Sequence, residues 1–267
     1  MTSPVRLGAV SYLNVRPLVY GLDRHRDRVS LRFDVPSVCA QLLANGEIDL
    51  GMVPSITYLD RPGDRIVPGV CIGSEGSVAS VALFSRVPVA NVRSIALDTS
   101  SRTSAALVRI LCARRFDIAP VFVPHAPDLA TMLANADAAL LIGDPALFAD
   151  AAGVAKIDLG AAWTEMTGLP FVWAFWAGPA GSVGPDVVRL LQDAAAAGMA
   201  HSDEIADAYC APRADDQRLA RRYLREHLRF QLDDRAIEGL RRFYREAADL
   251  RLAPSPGVVG FFDARLQ

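Results

Sequence analysis

The chain has 267 residues, enough for one large α/β domain or for two lobes of about 100 to 150 residues each. Half of it is apolar and 22% is charged, with a formal net charge of −2, so no overall field draws it to nucleic acid or to an anionic membrane. Lys156 is the only lysine and lies in the strand-like "GVAKIDLG", which argues against Schiff-base chemistry.

In chain order, "VRLGAVSY" reads as a short strand. "VRPLVYGL" reads as a helix with proline near its start and Gly21 near its end, and "VSLRFDVP" alternates like a strand. "PSVCAQLLANGEIDLGMVPS" supplies Ser37 as N-cap, apolar residues at helical spacing, an Asn45-Gly46 stop and a buried strand, "IDLGMVP". Strands separated by single helices predict parallel pairing in a sheet covered on both faces. The pattern then restarts: "SIALD" strand, "TSSRTSAALVRILCARRF" capped helix, "APVFVP" strand, "DLATMLANA" helix, "AALLIGD" strand. From about residue 176 the chain reads as helical nearly to its end, and these helices are expected to pack back on the first unit. The implied architecture is α/β with two lobes, the second (87–176) inserted into the first (1–86 plus 177–267). Crossings are expected near Ser85–Pro88 and Phe175–Gly178. The carboxyl ends of strands from both lobes then border one cleft, the usual place for a small ligand.

Four cysteines, Cys39, Cys71, Cys112 and Cys210, lie far apart in apolar segments and are expected as buried free thiols. No window reaches the roughly 18 apolar residues of a membrane span. "MTSPVRLGAV" lacks an export-signal pattern, so a cytoplasmic location is expected. The tail "GVVGFFD" packs either on its own lobe or on a partner, the chain being a monomer or a homodimer. Trp163, Trp173 and Trp176 are expected in the core.

Polar clusters fall at strand ends. "SYLNVRP" offers Ser11, Tyr12 and Asn14, more groups than one helix cap requires, although Ser11 or Asn14 could serve as that cap. "MVPS" places Pro54 and Ser55 at a helix start, which is either a plain cap or an anion site. In "GSEGSVASV", Ser80 interrupts an apolar run where valine or alanine would pack better, so it is expected to face a ligand. "LDTSSRTSAAL" holds five hydroxyls, among them Ser100, Thr103 and Ser104, together with Arg102. One cap uses one hydroxyl, and an oxyanion is the natural partner for the others. Arg102 either clamps a carboxylate or lies on the surface. "LIGDPAL" adds Gly143 and Asp144, the latter a cap or a ligand contact. His25, His201 and His227 sit among charges, while His125 follows a strand. A phosphate loop with lysine, a dinucleotide fingerprint and a metal-spaced histidine pair are all lacking, so neither cofactor nor metal is expected. A hydrolase triad is also disfavoured, since no serine has a GxSxG setting.

The blocks "VSYLNVRPLVYGL", "LLANGEIDLGMVPS", "LDTSSRTSAALVRILC", "ALLIGDPAL" and "DLGAAWTEMTGLPFVWAFW" resemble, in order, the pattern of the chorismate dehydratase family of the futalosine route to menaquinone. The resemblance covers about the first two thirds of the chain. It implies a two-lobed, periplasmic-binding-protein-like (type II) fold and a lyase that turns chorismate into 3-[(1-carboxyvinyl)oxy]benzoate and water. It also implies chemical roles for Asn14 and Ser80 and an anion-binding helix start at Thr103 and Ser104. Where the family more often has aspartate, this chain has Glu75. Two other functions share the architecture: a cytoplasmic small-anion sensor, and the dihydroxynaphthoate-forming enzyme of the same pathway. The latter opens with a strand-end pattern different from "SYLN".

Overall fold

The structure is a computed structural model that describes residues 3–255 and 257–263. Its strands divide between two mixed sheets. The first contains β1 (Val5–Val10), β2 (Val29–Asp34), β3 (Leu50–Pro54), β4 (Asp64–Ile66) and β5 (Ile72–Ser74). The second contains β6 (Val81–Ser85), β7 (Ser94–Asp98), β8 (Val121–His125), β9 (Ala138–Ile142) and β10 (Ala155–Asp158), after which β11 (Phe171–Pro179) returns to the first. The orders are β2-β1-β3-β11-β4, with β5 also on β11, and β10-β6-β9-β7-β8. The helices are α1 (Pro36–Ala44), α2 (Arg102–Leu111), α3 (Leu129–Asn135), α4 (Gly143–Leu147), α5 (Leu159–Thr167), α6 (Pro185–Ala200), α7 (Ser202–Cys210), α8 (Ala214–Arg222) and α9 (Asp234–Asp249).

β3 and β9 are buried along their whole length, which is why they read as unbroken apolar runs. β1 pairs in parallel with β2 and β3, and β7 with β8 and β9. The expectation of purely parallel sheets is corrected, because β11 runs antiparallel to β3, and β6 antiparallel to both β9 and β10. The lobe boundaries also move. The chain enters the second sheet between Ser74 and Val81, not near Ser85–Pro88, and rejoins the first before Phe171, not near Phe175–Gly178. β11 is buried on both faces over most of its length, so it shows no alternation that would mark it as a strand.

Smaller corrections are local. Helix α1 starts from Val35 with Pro36 at its first turn, so Ser37 is not the cap; proline's fixed φ starts the helix instead. "VRPLVYGL" forms part of a 3₁₀ helix, Leu13–Val19, that accommodates Pro17. Gly198 of α6 lies so close to this segment that a Cβ there would come within 2.0 Å of the Pro17 carbonyl oxygen. Helix α6 therefore clamps the backbone that carries Asn14.

One continuous core runs through both lobes, from Leu7, Met52 and Trp176 to Leu83, Ile95 and Leu107, and a smaller cluster around Phe84 and Met132 covers the far face of the second sheet. Each large side chain buried this way contributes roughly 1.5–3 kcal/mol. Helix α9 packs on β11 and also meets α2, and Arg114, in the wide turn directly after α2, pairs with Glu246 across the lobes. The four cysteines are buried and free. The tail docks on its own lobe: Phe262 N–H donates to Ile66 O at 2.9 Å, beside β4. Among the described residues no helix is long and apolar enough to cross a membrane.

Candidate active site

A cavity with about 570 Å³ of empty space, counting its open mouth, lies between the strand ends of the two sheets. Val10, Met52, Ile72 and Trp173 form its apolar walls, while Tyr12, Asn14, Ser80, Ser101, Thr103 and Ser104 supply the polar groups. Pro54 and Gly143 also border it. Trp173 is thus a cavity wall, with its indole N–H donating to Ser74 Oγ at 3.1 Å, whereas Trp163 and Trp176 are core residues.

Ser80 ends a short loop that is held from the second lobe. Asp158, the N-cap of α5, accepts hydrogen bonds from the Ser77 hydroxyl and from the N–H groups of Val78 and Ala79. The next turn is tight: Ser80 N–H donates to Val78 O at 2.7 Å around Ala79, whose φ is +63°. An i to i+2 turn through positive φ at a non-glycine residue is strained and persists only where its surroundings impose it. Here Asp158 imposes it, and the strain aims Ser80. The Ser80 hydroxyl lies 2.7 Å from the phenol of Tyr223, and Asn14 lines the same cavity as Ser80. Asn14 Oδ1 is buried and has no hydrogen-bond partner.

The start of α2 borders the same cavity. Ser101 caps the helix by accepting from Ser104 N–H at 3.2 Å. Thr103 Oγ1 accepts from Ile56 N–H at 3.3 Å and so ties the second lobe to the helix start at Pro54–Ser55. A helix N-terminus with free N–H groups carries partial positive charge and favours anions. On the opposite side Tyr12 lies against Gly143, where φ is +61° and a Cβ would stand 2.6 Å from the ring.

Of the candidates, Tyr12, Asn14, Pro54, Ser80, Thr103, Ser104 and Gly143 come together here, and five do not line the cavity. Ser11 takes part through its backbone oxygen, which accepts from Tyr209 and Arg16. Ser55 donates to Val172 O at 2.8 Å, and Ser100 donates to Asp98 at 2.6 Å. Asp144 accepts from Leu13 N–H and from the Tyr209 phenol. Arg102 is exposed, since one helical step of about 100° turns it away from the face that carries Thr103. His125 lies on the edge strand β8, and Glu75 is paired with Arg229 and Arg235. His201 and His227 are half-buried and bonded to backbone carbonyls rather than solvated. Tyr223, Trp173 and Ser101 were missed. Ser101 stood in a cluster already marked, but nothing local marks Tyr223, which reaches Ser80 from 143 residues away.

Among the described residues, no aspartate, glutamate, histidine, lysine or arginine lines the cavity. Burial pushes the Tyr12 phenol above its ordinary value, so it stays neutral and is a poor base. Burial likewise raises the Asp98 carboxyl, which sits behind Ser100. The site is therefore a neutral pocket of donors and acceptors that can hold and polarise an anion but contains no strong protein base.

These features define a class: a two-lobed, periplasmic-binding-protein-like α/β protein with a hydroxyl-lined pocket between its lobes. Solved structures agree on the fold. A protein of Archaeoglobus fulgidus matches with a TM-score of 0.78 at 16% identity, covering 94% of this chain and 99% of its own. The periplasmic aliphatic sulphonate binding protein of Escherichia coli matches with a TM-score of 0.64 at 17% identity, covering 100% and 96%. Residues 5–249 match the menaquinone biosynthesis family. A chorismate dehydratase of Thermus thermophilus is 31% identical over 270 residues, 94% of this chain and 97% of that protein. The chain belongs to the menaquinone biosynthesis family, with a chorismate dehydratase among its relatives.

Proposed function

We propose that this protein is a chorismate dehydratase, a cytoplasmic hydro-lyase that forms 3-[(1-carboxyvinyl)oxy]benzoate and water. One observation carries the reading: Asn14, with an unused buried acceptor, and Ser80 share a pocket with a helix N-terminus and no charged side chain. Chorismate is a dianion bearing a ring hydroxyl, and the pocket offers neutral donors for its carboxylates and an acceptor for that hydroxyl. Each hydrogen bond to a charged group contributes roughly 1.5–3 kcal/mol.

The reaction removes a proton from the ring carbon bearing the enolpyruvyl ether, which is conjugated through a double bond to the ring carboxylate. The neighbouring hydroxyl leaves with a proton as water, and the ring becomes aromatic. Aromaticity supplies much of the driving force, so the protein mainly orients the substrate, excludes water and polarises the carboxylate. With no strong base among the lining groups, the proton acceptor in this scheme is a substrate carboxylate held by Ser80, while Asn14 accepts from the ring hydroxyl. Incubation with chorismate alone, followed by chromatography with mass detection, tests the reading. Loss of one water to give a 3-substituted benzoate is expected. Chorismate bound tightly and recovered unchanged would instead make the protein an anion-binding relative of the solute receptors.

A further inference from the structure

We infer that Tyr223 is a positioning residue that sets the direction of hydrogen bonding at Asn14 and Ser80, so that Ser80 meets the substrate as a donor and Asn14 as an acceptor. This role rests on the dehydratase reading and extends it to a residue outside the cavity lining.

The geometry starts from the fold. Tyr223 opens a π-helical turn, Tyr223–His227, directly after α8, and such wide turns recur at functional sites. Its side chain is only 1% exposed, and its hydroxyl lies 2.7 Å from Ser80 Oγ. Asn14 lies near the same phenol, and its Oδ1 has no partner. In the proposed arrangement the group that Asn14 turns toward Tyr223 is Nδ2, which can only donate. The phenol oxygen accepts that bond, and its single proton goes to Ser80 Oγ. Ser80, already accepting there, has its own proton left for the cavity. Burial raises the Tyr223 phenol above its ordinary value, so the proton that orders this chain stays in place.

The result is a polarity that neither Asn14 nor Ser80 has alone, since an isolated serine hydroxyl rotates to donate or accept. A donating Ser80 suits a carboxylate or the oxygen of the departing hydroxyl. An accepting Asn14 suits the proton of the ring hydroxyl.

Tyr223→Phe removes the ordering proton and keeps the ring. Expected is a fall in kcat of about 10- to 100-fold with KM changed less than about threefold. In a Ser80→Ala background the same change should cost several-fold less than in the wild type, because one of the two groups it orients is gone. A purely structural tyrosine would lower kcat by the same factor in both backgrounds, and that result overturns the inference while leaving the dehydratase intact. A second measurement needs neither the Phe variant nor turnover. In ¹³C-tyrosine-labelled protein, the Tyr223 hydroxyl proton should shift or vanish by exchange in Ser80→Ala, having lost its acceptor. An unchanged resonance means that Tyr223 donates elsewhere and overturns the inference. Wild-type protein that leaves chorismate unchanged would sink the dehydratase reading itself, with the hydrogen-bond direction still decided by the resonance.

Discussion

Two of the hydrogen-bond networks that cross between the lobes differ in what they leave over. At the first, Asp144 on α4 accepts from Leu13 N–H and from Tyr209 on α7, and Tyr209 also donates to Ser11 O. Both oxygens of that carboxylate are engaged. At the second, Ser80 and Tyr223 are paired, but Asn14 Oδ1 remains unused inside the cavity wall. A buried acceptor without a partner costs about 1–3 kcal/mol, so it persists where function or geometry holds it. The contrast separates a latch, which is complete in the free protein, from a site, which a ligand completes.

The largest effect is expected at the incomplete network. Ser80→Ala and Asn14→Ala should each lower kcat on chorismate by about 10²–10³-fold, as for loss of a preorganised donor or acceptor. Their melting temperatures should fall by no more than about 4 °C. Turnover at the native rate in either variant would remove the distinction between the networks.

Next comes the contact that closes the pocket. Gly143→Ala puts a Cβ against the Tyr12 ring at a backbone with φ of +61°. It should destabilise the protein by about 1–3 kcal/mol in denaturant unfolding and raise KM as the ring shifts into the cavity. A variant with native stability and KM would mean that Tyr12 moves aside freely.

Tyr209→Phe addresses the complete network. A loss of about 1–2 kcal/mol in stability is expected, with kcat within about twofold of native. A fall in kcat as deep as that of Ser80→Ala would show that the latch belongs to the chemistry.

The smallest effect is a pH dependence. Burial raises the Asp98 carboxyl, so the folded state holds its proton more tightly than the unfolded chain. The stabilisation from the protonated form is full below the ordinary carboxylate value of about 4 and is lost as pH rises through the raised folded value. Asp98→Asn carries no such proton. Its stability relative to wild type should therefore improve between about pH 4 and pH 7, measured by unfolding at each pH. A difference that stays flat would place Asp98 in a better solvated setting than its burial implies.

Much of the fold could be read from local pattern. β1, β3, β7 and β9 are short apolar runs between helices, and α6 and α9 carry clear helical periodicity. β11 escaped, since burial on both faces erases its alternation and its partners lie far away in the chain. At the site, the neutral, hydroxyl-rich strand ends were visible as composition. Their facing was not: Thr103 and Arg102 are neighbours in sequence, yet one lines the cavity and the other is exposed. Asp144, following a strand end, reads as a cap or a ligand contact, but Tyr209 arrives from α7 to occupy it.

By itself the sequence determined the two α/β units, the helical C-terminal third and the class of chemistry at the strand ends. Those follow from residue spacing and from side-chain type, which are local. The tertiary structure alone decided which hydroxyls are caps, which are tethers and which stay available, because hydrogen-bond saturation depends on partners brought together by folding. Tyr223 is the clearest case: an ordinary tyrosine at the end of α8 in sequence, it acquires its place beside Ser80 only when folding brings the end of that helix to the loop that carries Ser80.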